Sequence, residues 1–304
     1  MADTVINGLG YLAIEVDDLD AADAFYCGGL GFLREGRDSW PYGGPSVLLA
    51  AGAQHLFLVE KPGKRAAEFG GTHQAYRISA AGREEVCARL AADGFGIETY
   101  REDRPAEADD NYYVIDPSGN RVQLVVQADG SGGGTAVTGI DHACVEDIDL
   151  QWSEIFYADI LGLPAAYVHA LRTEDYARAR EWEAGRHDAA PGCNRMIRYY
   201  RIIPGQNRMQ PRPSLQLFYR ADADVVGIYM AMDDYAEPPE EQLQGSPCLA
   251  FSVVPGGLDA LARALEGAGR TFIGPIDEGD DAPLGATIYC KDTGGNFLAF
   301  TEIT

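Results

Sequence analysis

Basic residues are scarce in this 304-residue chain, where 24 lysines and arginines stand against 47 aspartates and glutamates, a formal net charge of −23. Such an acidic surface repels phosphate backbones and anionic lipid headgroups, which argues against nucleic acid or a membrane surface as partner and leaves small molecules. Long apolar runs are lacking too. No stretch approaches the ~20 residues that a membrane-spanning helix needs, and the opening Met1-Ala2-Asp3-Thr4 has neither the basic start nor the apolar run of a secretion signal. Paired cysteines are also missing. Cys27, Cys87, Cys144, Cys193, Cys248 and Cys290 include no CxxC spacing and sit mostly in apolar runs, where a free thiol behaves as a small hydrophobe. A reducing, cytoplasmic setting is expected. The acid concentrates at 102–110, 233–241 and 277–281, which read as solvated loops.

What the chain does have is a duplicated text. Residues 140–163, IDHACVEDIDLQWSEIFYADILGL, alternate Ile140, His142, Cys144 and Glu146 against Asp141, Ala143 and Val145, the period of a strand. Asp147 and Asp149 offer N-caps for a helix that ends at Gly162 and turns Ile155, Phe156 and Ile160 inward. Residues 12–32 repeat this pattern, Phe25-Tyr26 and Leu30-Gly31 answering Phe156-Tyr157 and Leu161-Gly162. Asp116-Pro117-Ser118-Gly119-Asn120 likewise answers Asp292-Thr293-Gly294-Gly295-Asn296, each a turn running into a last strand. The chain is therefore a tandem duplication. The boundaries fall at 1–129 and 136–304, with the glycine-rich 130–135 as linker. The second repeat is longer by roughly 45 residues, inserted at 167–213 before its fourth strand, and a long insertion in a compact domain is typically a lid. The insertion reads as a charged helix at 174–183, a loop, and a strand at 195–203.

Strand, helix starting at an Asp turn, three strands and a DP-x-GN turn into a final strand, met twice in the same order, resemble the vicinal oxygen chelate superfamily of glyoxalases, bleomycin-resistance proteins and type I extradiol dioxygenases. The resemblance implies an α+β fold of two tandem domains, each of two βαβββ units curling a mixed sheet around a cleft. It implies four inward positions able to hold a metal. Carried onto the second repeat these are His142, Gln216, Cys248 and Ala299; onto the first they are Tyr11, Leu56, His73 and Gln123. Neither set has the family's carboxylate, since alanine stands at 299. One divalent metal (iron, manganese or zinc) on His142 and Gln216 of the second domain is the expected cofactor, with Cys248 favouring a softer ion.

Catalysis is expected of His142, as ligand or proton-transfer group, and of Tyr289. Substrate binding is expected of Gln216, Cys248, Tyr199, Tyr219 and Arg201, the last in the one basic cluster of an acidic chain. The first domain reads as scaffold. Two functions follow: an isomerase, lyase or ring-cleaving oxygenase acting on a small polar or aromatic metabolite in the second-domain cleft, or a metal-free protein that sequesters an antibiotic or metabolite. A small-molecule ligand is the expected partner, and a homodimer is admitted.

Overall fold

The structure is a computed structural model that describes residues 4–38, 40–63, 73–99, 111–127, 137–147, 150–169, 216–221, 224–230, 240–277 and 284–302. Four βαβββ units follow one another. The first is β1 (Ile6–Val16), α1 (Leu19–Asp23, continued by wide π-type turns over Ala24–Leu30), β2 (Leu33–Arg37), β3 (Ser46–Ala51) and β4 (Gln54–Glu60). The second is β5 (His73–Ser79), α2 (Arg83–Ala92), β6 (Ile97–Thr99), β7 (Asn111–Ile115) and β8 (Arg121–Gln127). The third comprises β9 (Val137–Asp147), α3 (Leu150–Glu154, continued over Ile155–Ile160), β10 (Ala165–His169), β11 (Gln216–Ala221) and β12 (Asp224–Met230). The fourth is β13 (Cys248–Val253), α4 (Leu258–Gly267), β14 (Phe272–Ile276), β15 (Thr287–Lys291) and β16 (Phe297–Glu302). The linker at 130–135 and residues 170–215, most of the insertion, lie outside the described residues, and with them Tyr199 and Arg201.

Local chemistry explains the helix entries and exits. Asp18 caps α1, its Oδ1 accepting the Ala21 N–H at 2.8 Å, and Gly31 ends the helix in the left-handed conformation at φ 84°. Asp147, read as a cap for α3, accepts the Ser153 and Thr293 hydroxyls at 2.6 and 2.5 Å. The repeated FY and DP-x-GN motifs turn out to touch. Tyr26 donates its hydroxyl to Asp116 at 3.1 Å while Asp116 accepts the Ser118 and Asn120 N–H groups, and Asn120 reaches back to the Glu15 carbonyl. Tyr157, Asp292, Gly294, Asn296 and the Glu146 carbonyl reproduce the arrangement in the second repeat. Burial pushes both carboxyls up. Asp292, which also feels the charge of Asp147, reaches about 7.

These braces join the helix of each odd unit to the last turn of the next. The helices follow: Arg89 of α2 donates to the Gly29 carbonyl, and Val86 and Leu90 join the core of Phe25, Tyr26 and Leu30. The sheets pair otherwise. One eight-stranded sheet runs β14-β15-β16-β13-β1-β4-β3-β2 and the other β10-β11-β12-β9-β5-β8-β7-β6. The antiparallel pair β1–β13 joins unit one to unit four, and β5–β9 joins unit two to unit three. The expectation that each repeat closes a sheet around its own cleft therefore gives way to crosswise closure. Within a repeat the two units meet through their helices and braces, so each first strand finds its antiparallel partner in the other repeat.

A polar joint locks the sheets together where they approach. Asp224 accepts the Leu9 N–H at 2.8 Å, the Gln54 amide at 2.9 Å and Arg77 Nη2 at 2.9 Å, while Gln54 Oε1 accepts the Ile140 N–H at 2.6 Å. Gly52 belongs to the same contact. A Cβ there would lie 2.1 Å from the Thr138 carbonyl oxygen, and its φ of +67° also favours glycine.

Candidate functional site

Register decides which side chains can meet. In the second sheet, His142 of β9 pairs with Ala75 of β5, Ala75 with Gln123 of β8, and Gln123 with Tyr113 of β7. One step along, Cys144 pairs with His73. Paired residues project from the same face, and so do residues two apart on a strand, so both rows project together. Ala75 carries only a methyl, which lets its taller neighbours close over it: His142 Nε2 lies 3.1 Å from Gln123 Oε1. The Tyr113 hydroxyl donates to that same oxygen at 2.8 Å. His73 Nε2 approaches His142 Nε2 to 3.0 Å, and Cys144 Sγ lies 3.6 Å from His73 Nε2. One ligand atom from each of His73, His142 and Cys144 falls within 4.8 Å of the others, and all three residues are buried.

His142 is oriented from behind. Its Nδ1 meets Asp141 Oδ2 at 2.7 Å, and Asp141 Oδ1 accepts Arg77 Nε at 3.1 Å, which ties the imidazole to the joint between the sheets. Burial alone would raise the Asp141 carboxyl, but its bond to His142 and the charges of His142 and Arg77 outweigh this and hold it below the ordinary carboxylate value. An ionised Asp141 keeps a proton on Nδ1. Nε2 is the ring nitrogen turned toward the rest of the cluster. An apolar cavity lined by Ala13, His73, Cys144, Cys248 and Phe297 reaches this cluster from between the sheets.

The first sheet repeats the same rows with other residues. Tyr11, Ala250, Ala299 and Tyr289 occupy the places of His142, Ala75, Gln123 and Tyr113, and Cys248 faces Ala13 where His73 faces Cys144. Donors have given way to packing. Trp40, from the segment before β3, meets Tyr11 and Phe57 at ring-centroid distances of 6.2 and 5.0 Å, and Tyr42 meets Tyr289 at 5.3 Å. Together with Leu48, Val59 and Phe297 they form a second apolar core on this face. Burial pushes the Cys248 thiol up to about 12, so it stays protonated.

The residues singled out from sequence are thus divided between two faces. His142 stands with His73 and Gln123, whereas Cys248, Ala299 and Tyr289 belong to the packed face of the first sheet. Gln216 lies on β11, the third strand of its unit rather than the fourth, and Tyr219 on the same strand. The fourth strand is β12, which sets Val225 beside His142 and Gly227 beside Cys144, neither with a donor atom. Leu56 faces the helices in the main core, and Phe57 takes the inward place. Sequence reasoning missed Cys144 as a member of the cluster, although its spacing of two from His142 carried the signal. Asp141 and Arg77, which hold His142 from behind, gave no such signal.

Mixed sheets built from four βαβββ units make an α+β fold of the glyoxalase type. Residues 8–124 match the model of the Glyoxalase/Bleomycin resistance protein/Dioxygenase superfamily. That match covers the first two of the four units. Its whole length is similar in fold to a putative dioxygenase from Bacillus subtilis (TM-score 0.64, 13% identity, 98% of this chain and 86% of that one). It is likewise similar to glyoxalase I from Zea mays (TM-score 0.58, 15% identity, 97% and 92%). A search of curated protein sequences finds no match. No helix among the described residues is long and apolar enough to cross a membrane.

Proposed function

We propose that the concave face of the second sheet is the functional site, that it holds one divalent metal, and that it acts on a small polar or aromatic metabolite as an isomerase, lyase or oxygenase. The observation that carries this reading is the buried convergence of His73 Nε2, His142 Nε2 and Gln123 Oε1 within 3.0–3.1 Å steps. Asp141 engages Nδ1 and leaves Nε2 turned toward the Gln123 oxygen and His73 Nε2, where a cation would find three donor atoms together. The residues present fit a metal. His73, His142 and Gln123 would hold it, and when bound it would supply Lewis acidity to a carbonyl or hydroxyl oxygen of the ligand.

The protein's own groups do the rest. Asp141 fixes the tautomer and plane of His142, Arg77 keeps Asp141 ionised, and Tyr113 orients the Gln123 oxygen. The apolar walls contributed by Ala13 and Phe297 exclude water and admit a ligand with apolar surface. A second reading, binding without turnover, draws on one observation: the carboxylate beside the cluster, Asp141, is committed to Arg77 and His142. Metal titration into chelator-stripped protein tests the proposal. One equivalent per chain is expected, lost in His142→Ala with circular dichroism unchanged. Wild-type protein that takes up none, or a His142→Ala variant that binds equally well, refutes it.

A further inference from the structure

We infer that Cys144 is the anionic donor of this site, so that the chain selects a thiophilic ion of the zinc class over iron or manganese; the inference rests on the metal reading just given. Two imidazoles and an amide are neutral ligands, and a divalent ion on these alone would bring two uncompensated charges into a buried place, at a large desolvation cost. An anionic protein ligand offsets that cost. Asp141 already serves Arg77 and His142, which among the described residues leaves the Cys144 sulfur as the acidic group of the cluster.

Geometry agrees with this. With zinc-to-nitrogen and zinc-to-sulfur distances of about 2.0–2.1 and 2.3 Å, a tetrahedral S···N edge comes to about 3.6 Å. That is the separation of Cys144 Sγ from His73 Nε2. The sulfur also shares a face with His142 through its spacing of two on β9 and sits directly across from His73. As the sulfur binds, its proton leaves to solvent and no other bond changes. The ligand set becomes two nitrogens, one oxygen and one thiolate, which suits zinc and offers iron no carboxylate. The equivalent place in the first sheet is Ala13, across from Cys248, so that face provides an internal control.

Cobalt(II) replaces zinc and reports sulfur directly, so the test adds cobalt(II) to chelator-stripped full-length protein and records its absorption spectrum. One ion per chain with an intense near-ultraviolet thiolate-to-cobalt band is expected. Cys144→Ser should abolish that band and weaken binding at least about 10-fold, and Cys248→Ser should leave it intact. Cobalt bound without the band in wild-type protein overturns the inference and leaves the metal site standing, an outcome that does not depend on any variant folding. A band that survives Cys144→Ser, or disappears in Cys248→Ser, overturns it as well. No cobalt bound at all refutes the metal site and this inference with it.

Discussion

Valine in place of Ala75 would strike the site at the point where its donors close over a methyl. His142 Nε2 and Gln123 Oε1 stand 3.1 Å apart above Ala75, which is fully buried between them in the register. Carbon needs about 3.5 Å from either atom. The added methyl groups therefore crowd at least one donor out of its place. Overpacking of this kind costs about 1–3 kcal/mol of stability, and displacing a ligand from its support lowers metal affinity by roughly 10–100-fold. The two effects separate with a matched control. Ala250 occupies the same place in the first sheet, between Tyr11 and Ala299, and is equally buried. Ala250→Val should thus lose comparable stability and no metal affinity. Thermal denaturation in chelator measures the strain, and titration calorimetry with zinc measures the affinity. Wild-type zinc affinity in Ala75→Val would refute the arrangement of donors described here.

Other expectations follow from the same contacts. Asp141→Asn removes the charge that holds the His142 Nδ1 proton, so metal affinity should fall roughly 10–100-fold with little loss of fold; unchanged affinity in calorimetry would show that Asp141 does not support the site. Tyr26→Phe and Tyr157→Phe each leave a buried carboxyl short of a donor, at about 1–3 kcal/mol. The two losses should add, because the braces are separate, and urea titration of the double variant checks this. Asp292, raised to about 7 from an ordinary 3.8, favours its neutral form in the fold. The stability it contributes is complete below the ordinary value and is lost as pH rises through about 7, a window worth at most on the order of 4 kcal/mol. Melting temperature should accordingly decline between pH 5 and 8, and Asp292→Asn should flatten that decline. Equal slopes in the two proteins would count against it.

Much of the architecture was legible in the sequence because duplicated motifs mark duplicated turns. The two Asp turns lead into β8 and β16 as expected. Three of the positions carried over by resemblance, His142, His73 and Gln123, do face one another. Their grouping was not legible. Strand periodicity says which face a side chain takes but not which first strand lies alongside, and that choice separates His142 from Cys248 and Ala299. Gln216 was assigned one strand too late because DVVGIYM, the true fourth strand, follows it after a short hairpin. Packing on the first face was hidden for a different reason. Trp40 lies outside any predicted element, and only the fold brings it against Tyr11.

Crosswise closure has a consequence for how such a chain changes over generations. Each concave face draws half its residues from either copy of the duplicated segment, so neither copy by itself owns a complete site. A substitution in the outer units, at Tyr11 or Ala299 for example, touches one face and spares the other. The outer units fill their face with aromatic rings, while the inner pair carries the donors. A symmetric dimer of single repeats would enjoy no such freedom, since every change in it is made twice.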